Sequence, residues 1–119
     1  MAVKILIYRK VKPGEEKELS EAVRALRFKA MHAQGYISEE TLRSIEDPSL
    51  HLVISTWKSL KDWNHWADSP ERKAFQQKTD TMLEEPTKIT PYQHESISPS
   101  EILTELELAS RMSSESVTA

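Results

Sequence analysis

Four histidines, at positions 32, 51, 65 and 94, are the side chains of this 119-residue chain whose ordinary pKa lies near neutrality. His51 opens the run His51-Leu52-Val53-Ile54-Ser55-Thr56-Trp57, where strand alternation puts it on one face with Val53, Ser55 and Trp57. A histidine on such a face is the first candidate for a general base; the competing reading is an exposed edge-strand side chain. His65 lies between Asn64 and Trp66 on a short helical stretch. It is the second candidate, and Asn64 and His65 together can hydrogen-bond a bound aromatic molecule. Tryptophans at 63 and 66 stand three apart and turn their side of the helix inward, so the two polar side chains equally suit its solvated face. His32 sits near a helix end and fits dipole compensation, and His94 ends the last strand-like run. For an anionic oxygen, phenolate or carboxylate, the chain offers Tyr8, Arg9 and Tyr36, the arginine through its planar donor fork; each also suits a strand surface.

Other chemistries are excluded by what the chain lacks. Without cysteine there are no disulfides, thiolate nucleophiles or cysteine-ligated metal centres. No two histidines stand at ligand spacing on one helix or strand, so no metal site is expected. Residues 1–94 carry 15 Lys/Arg against 14 Asp/Glu, and residues 95–119 carry one against five. The body is therefore nearly neutral and the tail acidic, with no basic stripe for nucleic acid or an anionic membrane. No apolar run is long enough to span a bilayer and the N-terminus has no signal-peptide pattern, so the expected location is cytoplasmic.

The candidates need a scaffold, and the length supports one core rather than two. Val3 to Val11 alternates as a strand, with Val3, Ile5 and Ile7 on one face and Lys4, Leu6 and Tyr8 on the other. Lys12-Pro13-Gly14 breaks it, and Leu19, Ala22, Val23, Leu26 and Ala30 then predict an amphipathic helix from Glu15 to Gln34, stopped by Gly35. Tyr36 to Ile45 reads as a charged, poorly alternating strand, Glu46-Asp47-Pro48-Ser49 as a turn, and Leu50 to Trp57 as the next strand. Ser59 with Asp62 forms an approximate capping box for a helix bearing Trp63 and Trp66, and Ser69-Pro70 marks a bend or a restart. Phe75, Thr79, Met82 and Leu83 form a further stripe, and Thr87 to His94 makes a last strand that Pro91 confines to an edge.

The order β-α-β-β-α-β is that of an α+β, ferredoxin-like sandwich, an antiparallel sheet with helices on one face. The other face carries apolar residues, which argues for self-association as a homodimer. Residues 1–94 are expected to form this domain. The acidic tail, 95–119, holds a capping box at Ser98-Pro99-Ser100-Glu101 and a short helix expected near 99–112.

Several of these features together resemble the antibiotic biosynthesis monooxygenase family. They are Lys12-Pro13-Gly14 after the first strand, Gly35-Tyr36 opening the second, Asp47-Pro48 before the third, Ile54-Ser55-Thr56-Trp57-Lys58-Ser59 at its end, and Trp66 ahead of Ser69-Pro70. The resemblance covers residues 2 to 94. It implies a dimeric α/β barrel, sheets face to face, with a ligand cavity in each subunit between sheet and helices. It also implies either an oxygenase without metal or cofactor acting on a small aromatic or quinol-like molecule, or a non-catalytic binding or stress-related domain. Trp66 would then be a pocket wall rather than plain core. Haem-degrading relatives carry a histidine where this chain has Gln76 and an asparagine on the first strand where it has none, so haem degradation is not expected.

Overall fold

Strand β1 (Val3–Lys10) buries Val3, Ile5, Ile7 and Arg9 and leaves the alternate residues partly or fully exposed, as its alternation requires. In the computed structural model, which describes residues 2–95, it is followed by helix α1 (Glu16–Ala30), β2 (Tyr36–Arg43), β3 (Leu50–Trp57), α2 (Leu60–Ala67), α3 (Pro70–Asp80) and β4 (Lys88–Gln93). The four strands form one sheet in the order β2-β3-β1-β4, with every pair antiparallel. This is the expected ferredoxin-like topology. The helix expected near 99–112 lies outside the described residues, and no helix among those described is long and apolar enough to cross a membrane.

Local signals set most boundaries. α1 ends at Ala30, four residues short of the expected Gln34, because residues 31–34 form a turn that leads into Gly35. Gly35 has φ +85°, and a Cβ there would run into the Asp62 side chain, so glycine is required by conformation and by space together. Its carbonyl accepts from the Lys58 N–H at 2.8 Å, tying the start of β2 to the end of β3. Ser59 accepts from the Asp62 N–H and Ser69 from the Arg72 N–H, and with Pro70 in its first turn α3 restarts rather than continues α2. β4 is an edge strand, with Pro91 opposite Ile5.

The core on the helix side is built around Trp57, which is 1% exposed. Tyr36 and Trp63 meet it edge-on at 5.6 and 5.8 Å, and Trp66 stacks on it at 6.3 Å. Its indole N–H donates to the Ser55 hydroxyl. A second cluster, Val11, Leu19, Met82 and Leu83, closes the far end. Among the described residues no helix covers the opposite sheet face. Tyr8, Leu42, Leu50 and Tyr92 are each more than a third exposed there, beside Leu6, Leu52 and Ile54.

A candidate anion and proton-transfer site

Antiparallel pairing carries three basic side chains across the helix-facing side of the sheet. Arg43 on β2 pairs with His51 on β3, and His51 pairs with Arg9 on β1. His51 and Arg9 are buried, with 9% and 4% of their surface exposed. The His51 Nε2 is buried with no hydrogen-bond partner. Burial is the main force holding its pKa below the ordinary value; the neighbouring Arg43 and Arg9 add to it, while the Pro48 backbone and Glu16 oppose it. At neutral pH His51 is therefore an uncharged imidazole, the form a general base needs.

Arg72 approaches from α3, also 4% exposed. Its Nη1 donates to Gln76 Oε1 at 3.0 Å, and Gln76 in turn donates to Asp80 and, at 3.2 Å, to Thr87. Gln76 is thus engaged in orienting an arginine. Both guanidiniums lie against the Phe75 ring, Arg9 at 5.1 Å and Arg72 at 5.3 Å from its centroid, and Arg72 also lies over Trp63 at 5.9 Å. Arg9 Nε and Arg72 Nη2 are buried without partners. Desolvation, and then repulsion from Arg72, bring the Arg9 pKa down to about 10; burial also lowers that of Arg72. Glu39 on β2, paired with the exposed Arg27 at 3.5 Å, faces the same cluster. Its own pKa is raised, because burial outweighs the pull of Arg27, Arg9 and Arg72. The cluster is left with an excess of positive charge.

Beside Trp66 the expected hollow between sheet and helices is small. About 20 Å³ remains there, lined by Arg9, Glu39, Trp63, Trp66, Arg72 and Phe75 among others. It holds about one water-sized group. Two roomier spaces of about 250 Å³ adjoin it. One is a slot lined by Ser20, Val23, Arg24, Arg27, Thr41 and His51. The other lies at the end of the sheet, where Tyr8, Arg9 and His51 meet Glu85, Pro86 and Lys88. His51 lines both; Arg9 lines the second and Arg27 the first, and each also lines the inner cavity.

The candidate residues divide accordingly. Arg9 and Trp66 meet at the inner cavity and His51 lines the two roomier spaces, whereas Tyr8 projects from the open sheet face and Tyr36 packs on Trp57. Asn64 and His65 are exposed on α2. His65 and the small exposed part of Trp66 line an outer groove of about 580 Å³ with Phe28, His32 and Asp62. His32 is exposed, with Nδ1 3.0 Å from the Phe28 carbonyl. Glu39 and Arg72 were missed in the sequence, although Arg72 stands three residues before Phe75 on the buried stripe of α3.

A family model described as "Antibiotic biosynthesis monooxygenase" matches residues 2–78. The chain belongs to this family. The fold agrees. A conserved protein from Methanosarcina mazei Go1 superposes with a TM-score of 0.76 at 19% identity, covering 80% of this chain and 94% of its own. SnoaB, a cofactor-independent oxygenase from Streptomyces nogalater, gives 0.72 at 11% identity, covering 82% and 97%. Protein SchA from Streptomyces halstedii is 26% identical over 69 residues, 58% of this chain and 18% of that protein. The chain thus matches under a fifth of SchA's length.

In this antibiotic biosynthesis monooxygenase domain, His51 sets one pH dependence. Its folded pKa lies below its unfolded value of about 6.5. The stability it contributes is complete above that value and is lost as pH falls through the folded pKa. Glu39, raised in the fold, acts oppositely: its contribution is complete below its unfolded value and is lost as pH rises through its folded pKa. Between about pH 7 and pH 5, the thermal midpoint of the wild type should therefore fall more steeply than that of His51→Gln. Parallel curves would mean that His51 titrates as it does in the unfolded chain.

Proposed function

We propose that the protein is a cofactor-independent monooxygenase acting, as a homodimer, on a small phenolic or quinol-like aromatic. The observation that carries this reading is a buried, uncharged His51 with a free Nε2, lining a slot that Arg24 and Arg27 make cationic. A phenol seated in the slot gives its proton to Nε2. Arg24 and Arg27, which line the same slot, favour the phenolate. The electron-rich anion then reduces dioxygen itself: a ring C–H becomes a quinone carbonyl with one oxygen atom, the other leaves as water, and no external reductant is required. The apolar open sheet face, with Leu6, Leu42, Leu52 and Ile54 in one patch, supports face-to-face pairing of two copies.

A second reading, a non-catalytic binding domain, is favoured by one observation: the inner space beside Trp66 is nearly full. Oxygen uptake separates the two. With a panel of quinols, the wild type is expected to exceed the autoxidation control, and His51→Gln to fall by about 10²-fold or more, as for loss of a general base. Uptake at the control rate, for the wild type and Trp66→Ala alike, leaves the binding reading in place.

A further inference from the structure

We propose that Arg9 and Arg72 form an anion site for the carboxylate of a single-ring aromatic acid. This rests on the reading above and narrows its substrate to a phenolic acid. Two guanidiniums, each 4% exposed, line one cavity and leave Arg9 Nε and Arg72 Nη2 without partners inside it. Buried donors and buried charges are ordinarily matched, yet Glu39, with Oε2 also lacking a hydrogen-bond partner, is disfavoured as an anion by its burial, and Asp80 acts on Arg72 from beyond Gln76. A water would satisfy the hydrogen bonds but not the charge. A carboxylate oxygen satisfies both, and the cavity of about 20 Å³ suits one such atom.

The remainder of the ligand is bounded by the adjoining slot. Val23 and Arg27 line both spaces, so the slot of about 250 Å³ is the neighbouring space in which the rest of such a ligand would sit. A cavity of about 150 Å³ already takes benzene, so the slot has room for a single ring. His51 lines that slot, and the ring's phenolic end lies within the same enclosure.

Calorimetric titration of the full chain with benzoate, benzyl alcohol and inorganic phosphate tests this without turnover. Benzoate is expected to bind at least about tenfold more tightly than benzyl alcohol, the difference between a charged and a neutral head on one ring. Arg9→Met and Arg72→Met should each weaken benzoate by about tenfold or more while keeping the wild-type circular dichroism spectrum. If either fails to fold, Arg9→Lys and Arg72→Lys, which keep charge but lose the fork, should each weaken benzoate by about threefold or more. Equal affinity for the acid and the alcohol overturns the proposal, as does benzoate binding untouched by the substitutions, or phosphate binding with benzoate silent. A protein that binds benzoate and never consumes oxygen keeps the anion site and loses the oxygenase. One that oxidises quinols and ignores benzoate does the reverse.

Discussion

Arg9→Met is expected to make the ligand-free protein more stable, by about 1–4 kcal/mol, the range found when buried ionic groups give way to apolar side chains of similar volume. A guanidinium held at a pKa of about 10, well below its ordinary value, is penalised in its charged form at every lower pH. That penalty is on the order of 3 kcal/mol. Methionine keeps the unbranched stem that packs on Phe75 and loses a cation–π contact at 5.1 Å worth about 1 kcal/mol. Glu39 keeps its closest partner, since the Arg27 ion pair is untouched. Urea unfolding of the two proteins at neutral pH and one protein concentration gives the comparison. A lower midpoint for the variant would mean that the Arg9 charge is already compensated in the fold.

A stabilising substitution at a buried charge indicates that the charge is retained for something other than folding. Arg72 argues the same way from another element. α3 offers it one hydrogen bond through Gln76 and two aromatic faces, yet Nη2 stays bare. Structural arginines are usually satisfied around the whole fork. The two half-satisfied arginines come from different elements, β1 and α3, so a local quirk of one turn does not account for both.

Element order and core were legible in the sequence because local chemistry enforces them. Leu50 to Trp57 alternates cleanly, and the strand has those bounds. Gly35 and the serine caps act within a few residues of themselves, so their effects needed no knowledge of the partner elements. Glu39 was hidden because β2 is charged on both faces. Only its pairing with Ser55 on β3 turns it toward the helices, and pairing is a property of two strands. Arg9 invited a surface reading because arginine is seldom fully buried, and nothing local reports Arg72 and Phe75 packing over it. The size of the cavity was illegible for the same reason: it is what remains after two long side chains from distant elements have folded into one space.

Trp57→Ala is expected to cost about 3–5 kcal/mol, the range for deleting a large buried aromatic. Trp57 touches the rings of Tyr36, Trp63 and Trp66, which come from β2 and α2, so its removal opens a cavity that rigid β3 cannot collapse. The buried Ser55 hydroxyl loses its donor as well. Trp66→Ala should cost less, since Trp66 keeps 8% of its surface at the outer groove against 1% for Trp57 and stacks on one ring where Trp57 meets three. The order of the two midpoints is therefore the informative result. If Trp66→Ala were the more damaging, Trp66 rather than Trp57 would be the keystone of the helix-side core, and a pocket wall at Trp66 would have to be given up in favour of plain packing.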